Sequence, residues 1–188
     1  MLKRILQLSS FLLFASLFLF PSPLSADEAE IRDLQVMNSQ DQVVVYARVT
    51  NCFTKDIEEA ILAGVPTTFT FLVDLYQKRS LWMDKKLSRT TVHHTIKYDN
   101  VKKIFSVFSD GEKEPAAFPD FESAKRAMAD LNGIPVAQRK ALELGGSYYI
   151  MVKAKLDKVR LPLSMEVVFF FVSLWDFETG WYREEVLF

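Results

Sequence analysis

Five residues have side chains that could do chemistry. His93 and His94 are the only histidines, Cys52 is the only cysteine, and Asp74 and Asp84 interrupt or follow apolar stretches. A metal site needs several N, O or S ligands converging on one point. Adjacent residues on a strand point to opposite faces, so His93 and His94 cannot easily share a metal. No cluster of Cys, Asp or Glu sits at ligand spacing beside them. A pair of carboxylates held close could act as general acid and base, which makes Asp74 and Asp84 the residues of a hydrolase reading. Their spacing does not bring them together, and an Asp on a half-buried strand is expected at an edge or facing solvent. Cys52 ends an apolar run with no His or Lys close by and reads as a small buried thiol. The chain has no Gly-x-Ser-x-Gly elbow and no glycine-rich phosphate loop. It is therefore read as a non-enzyme, with no cofactor and no metal.

Those residues sit in a chain with two parts. Lys3 and Arg4 precede an apolar run from Ile5 to Phe20. Pro21 and Pro23 break it, and Leu24-Ser25-Ala26 offers a small residue for cleavage. This is the order of a secretory signal. Residues 1–26 are read as that signal and 27–188 as a single domain. The destination is the periplasm, with an uncleaved inner-membrane anchor as the alternative. The run falls short of the roughly 20 residues that span a bilayer comfortably.

The 188-residue chain carries 23 Lys+Arg and 24 Asp+Glu, and losing Lys3 and Arg4 leaves the mature domain acidic. Nucleic acid is excluded as a partner, because there is no basic surplus for phosphate contacts. An exported chain with one Cys has no intramolecular disulfide, so the fold must rest on its core. The 16 Phe, 6 Tyr and 3 Trp supply it.

Alternation predicts strands over 30–38, 42–50, 67–76, 91–98, 103–108 and 148–156. The first two form a hairpin, and 69–108 forms a three-strand antiparallel meander. Thr54 caps a short helix that Gly64 ends and Pro66 prevents from resuming. Asp120 caps a second helix through Leu131, ended by Asn132-Gly133. Pro135 opens a third, short helix running to Leu144. Residues 79–84 form a turn or bulge carrying Trp82. The expected fold is α+β: antiparallel β-sheets, able to form a sandwich, with two or three short helices packed on them.

The segment Leu161-Pro162-Leu163 followed by MEVVFFFVSLW is apolar on every side, with Glu166 its only charge. Periodicity does not decide its conformation, and a helix is read there, followed by a closing strand near 181–187. Leu161, Leu163, Phe169, Phe170, Phe171 and Trp175 are the candidate interaction surface if the segment is exposed, and core if it is not. The expected function is a periplasmic interaction module that binds a protein partner through this surface or a sheet edge. Membrane contact is expected only through the signal or weakly at the periphery. The alternative is a carrier of a small apolar or lipid-like ligand.

Several short motifs carry a resemblance. They are Gly64-Val65-Pro66, Trp82-Met83-Asp84, Tyr98-Asp99, Tyr149, Leu161-Pro162-Leu163 and the closing run from Trp175 to Tyr182 (WDFETGWY). In this order the chain resembles an uncharacterised exported family of Gram-negative bacteria, the domain of unknown function DUF4390. The resemblance implies no activity, cofactor or catalytic residue. The family's genomic setting implies an envelope signalling role, with a sensor kinase as a candidate partner.

Overall fold

The computed structural model describes residues 28–39, 41–157 and 177–187. The chain opens with β1 (Glu30–Asn38) and β2 (Gln42–Thr50), then α1 (Lys55–Leu62). The meander follows as β3 (Thr67–Gln77), β4 (Lys85–Asp99) and β5 (Ile104–Ser109), with β6 (Ala116–Phe118) after it. Next come α2 (Phe121–Ala129), β7 (Asp130–Gln138), β8 (Ser147–Leu156) and β9 (Tyr182–Leu187). Two antiparallel sheets result, a three-stranded one ordered β1-β2-β7 and a six-stranded one ordered β6-β5-β4-β3-β8-β9. The α+β class expected from sequence is the fold observed.

The alternation in β3 and β8 explains the core. Phe69, Phe71, Val73 and Leu75 lie opposite Leu156, Ala154, Val152 and Ile150, and all eight are buried. They join one cluster with Val43, Val45 and Val49 of β2 and Leu131 and Val136 of β7, so the two sheets share a core. Ile57 and Ile61 of α1 and Ala124 and Met128 of α2 add to the same cluster.

The helix ends follow their sequence signals. Thr54 accepts from the Ile57 N–H at 3.4 Å, and Asp120 accepts from the Ser123 N–H at 2.7 Å. After α1, Gly64 takes φ +86°. The Gly64 and Val65 N–H groups close on the carbonyls of Ile61 and Ala60, a Schellman ending.

The third helix is corrected. Residues 130–138 are strand β7, and only Arg139–Ala141 form a turn of 3-10 helix. The second helix likewise stops at Ala129, before Leu131. The physical reason is tertiary: β7 pairs with β2 from Arg48↔Asp130 to Gln42↔Gln138, and those bonds outweigh local helix propensity. Pro135 is tolerated because β7 lies at the sheet margin. The chain from 158 to 176, including the helix read there, lies outside the described residues.

Strand direction sorts the connections into two ends. At the lower end lie the β1–β2 turn, the β3–β4 loop and the β7–β8 loop. Contacts tie these together: Arg139 N–H to Asp41 O, Lys78 N–H to Ser147 O, and the Gln77 amide to Glu143. At the upper end lie the start of β1, helix α1 and the end of β8. There Leu156 N–H donates to Phe177 O, and Thr179 N–H to Ala154 O.

Candidate functional site

The lower end of the large sheet carries most of the strongly exposed apolar residues described, Val101 of the β4–β5 turn at the other end being the exception. In the β3–β4 loop Leu81, Trp82 and Met83 are 95%, 76% and 81% exposed. Three consecutive large apolar side chains in water are unusual for a soluble surface, where such residues occur singly. Lys78, Arg79, Lys85 and Lys86 flank them in the order K-R-S-L-W-M-D-K-K. Leu144 of the adjacent β7–β8 loop is also exposed, beside Arg139 and Lys140.

The tip is held at its base. The Asp84 carboxylate accepts from the Arg79 N–H at 3.1 Å, which closes the loop, and from the Tyr149 O–H at 3.0 Å, which ties it to β8. Those two donors hold the Asp84 carboxyl below the usual carboxylate range. Burial first, and then Asp84, push the Tyr149 phenol up. Lys78 pairs with Glu185 of β9. Behind the loop, four strands contribute one side chain each to a stacked row. Tyr76 and Tyr149 lie 5.0 Å apart at 4°. Lys86 caps the Tyr76 ring at 5.2 Å, and Arg183 caps Tyr149 at 3.8 Å.

Asp74 lies on the same outer face, and here the sequence expectation is corrected. It is neither an edge nor a solvent-facing residue: β3 is interior to its sheet, and Asp74 is 1% exposed. Burial alone would raise its carboxyl, but Arg89, at 2.6 and 2.7 Å, and Lys86, at 2.7 Å, outweigh burial and hold it low. Both carboxylate oxygens are thus engaged by cations. Asp84 is engaged instead by Tyr149 and the loop backbone. No contact joins the two carboxylates among the described residues, and each has a structural occupation.

The remaining candidates sit apart. His94 is buried, with Nδ1 3.0 Å from the Met128 carbonyl, so that nitrogen carries the proton and donates. Burial holds its pKa below the ordinary histidine value. His93 points to the other face and pairs with Asp110 at 2.7 Å. No group of three or more metal-ligating side chains occurs among the described residues. Cys52 is buried, and burial pushes its thiol up to about 12. Leu161, Leu163, Phe169, Phe170, Phe171 and Trp175 lie outside the described residues.

The sheet margins are less suited to docking than the tip. β6 is three residues long. The β7 carbonyls of Val136 and Pro135 are taken by the Ser88 and Thr90 hydroxyls. β1 is broken by Asp33 at φ +53°. β9 stays in register, but Arg183, Glu184 and Glu185 in succession oppose pairing with another strand.

The sequence matches a family described as Domain of unknown function (DUF4390) over residues 26–185. The chain belongs to the DUF4390 family. No curated protein and no solved structure matches it. The exposed tip of this DUF4390 chain includes Trp82-Met83-Asp84, one of the motifs that carried the resemblance. From sequence, 79–84 is a turn or bulge and no more. The sequence signal for its exposure is three apolar residues bracketed on both sides by paired cations.

Proposed function

We propose that this chain is a non-enzymatic interaction module of the cell envelope, exported by residues 1–26, and that it docks through the tip of the β3–β4 hairpin. The carrying observation is the exposure of Leu81, Trp82 and Met83 on a base fixed by Asp84, Tyr149 and Glu185. A pinned loop loses little freedom on binding, so its apolar contacts go into affinity. Envelope signalling is the setting that the family resemblance implies for such a module, with an envelope protein such as a sensor kinase as the partner class.

The carrier reading has less support. The space between the sheets is filled by side chains that are fully buried, Phe69, Phe71 and Ile150 among them. A hollow of about 700 Å3 opens to the surface between Asp41 and Leu144 and is lined mainly by polar and charged residues.

The test replaces the tip in the full chain with L81S/W82S/M83S. The expected result is an unchanged circular dichroism spectrum and melting temperature, with loss of the association seen by in-cell crosslinking and envelope fractionation. A folded variant that keeps every association overturns the reading.

A further inference from the structure

We propose that the Leu81-Trp82-Met83 tip inserts into the headgroup layer of a phospholipid bilayer that carries anionic lipid. This rests on the tip being the docking element and assigns it a membrane surface in place of the envelope protein named above. Three observations carry it. First, the tip is convex: its side chains are 76–95% exposed, beyond the ends of two paired strands. A convex apolar tip suits a soft planar surface, whereas a protein partner would need a matching pocket. Second, the residue types are those of an interfacial anchor. Trp partitions to the headgroup level, and Leu and Met reach the acyl boundary.

Third, the charges complement an anionic surface. Lys78 and Arg79 precede the tip, Lys85 and Lys86 follow it, and Asp84 is the only acid between them. The Asp84 carboxylate is turned back onto the Arg79 N–H and Tyr149 O–H, away from the collar. Lys78 and Lys86 already pair with Glu185 and Asp74, so Arg79 and Lys85 carry most of the outward attraction. Arg139 and Lys140, exposed on the neighbouring loop with Leu144, extend the basic rim. Asp41, Asp84, Glu143 and Glu185 at this end offset part of that charge, but six cations outnumber the four acids, although the chain as a whole has a net charge of −1. Apolar insertion plus several cations is the combination that gives stable but reversible membrane association.

The experiment is flotation of the exported chain, purified as cells produce it, with phosphatidylcholine vesicles with and without a quarter phosphatidylglycerol. Wild type is expected to float with the anionic vesicles and to release as salt is raised. L81S/W82S/M83S should lower partitioning roughly tenfold or more, and R79E/K85E should do so on anionic vesicles only. In a W175F/W181F background, Trp82 emission should shift to the blue on anionic vesicles and stay unshifted on neutral ones. Equal flotation of wild type and the tip variant overturns the inference, since another segment is then responsible. Absence of wild-type flotation also overturns it. If the tip variant nonetheless loses its association in cells, the partner is a protein and the docking role of the tip survives.

Discussion

Asp74 and Cys52 are both buried, with opposite consequences. Asp74 is ionised and held between Lys86 and Arg89, whose side chains remain 38% and 47% exposed. D74N should lower stability by about 1–3 kcal/mol, less than a fully buried pair would give because water screens the two cations. Chemical denaturation at neutral pH checks this. Cys52, with its thiol pushed up to about 12, is protonated at all ordinary pH values. Iodoacetamide at mildly alkaline pH should leave the native chain unlabelled and modify it fully once unfolded; mass spectrometry reads the difference. The burial of Cys52 follows from its local apolar run, whereas the environment of Asp74 does not. The chain around Asp74 (LVDLY) reads as a half-buried strand, and only the partners on β4 show why a charge is stable there.

At the scale of elements, the caps were legible, but the end of α2, the strand β7 and the start of β4 at Lys85 were not. Asp120 is visible as a cap before the structure is known, and D120A should destabilise the domain by about 1 kcal/mol, seen as a lower melting temperature. The strands with clean alternation, β2, β3 and β8, sit where their patterns place them. β7 does not, because its sequence, DLNGIPVAQ, has no period and contains both Gly133 and Pro135. Its identity comes from the neighbouring β2, whose paired residues run from Arg48↔Asp130 to Gln42↔Gln138, 82 to 96 positions apart in the chain. The loop from Lys78 to Asp84 was legible as a turn, yet its importance was not. Exposure depends on how far the hairpin projects, and a local window carries no information about that. Of the residues that hold the tip, Asp84 and Tyr149 are 65 apart in the chain and meet only in the fold.

For the whole molecule, acid should weaken the fold in two stages. His94 has a lowered folded pKa because burial disfavours its charged form. Its share of stability is present above the unfolded value near ~6.5 and is lost as pH falls below it. Asp74 also has a lowered folded pKa, so its contribution persists until pH drops below the ordinary carboxylate value near ~3.9 and then declines. Urea midpoints should therefore fall between pH 7 and 5, and again below about 4. H94Q should remove the first stage and D74N should reduce the second. The export reading also belongs at this scale: intact-mass measurement of the protein from the envelope should give a chain beginning at Asp27.

The two-ended layout has a geometric consequence. β1 starts at the end opposite the Trp82 loop, and β3 runs between those ends over 11 residues, a stand-off of roughly 30 Å. Whatever is fastened before β1 and whatever binds the Trp82 loop are therefore attached at opposite poles of the body, separated by the length of β3.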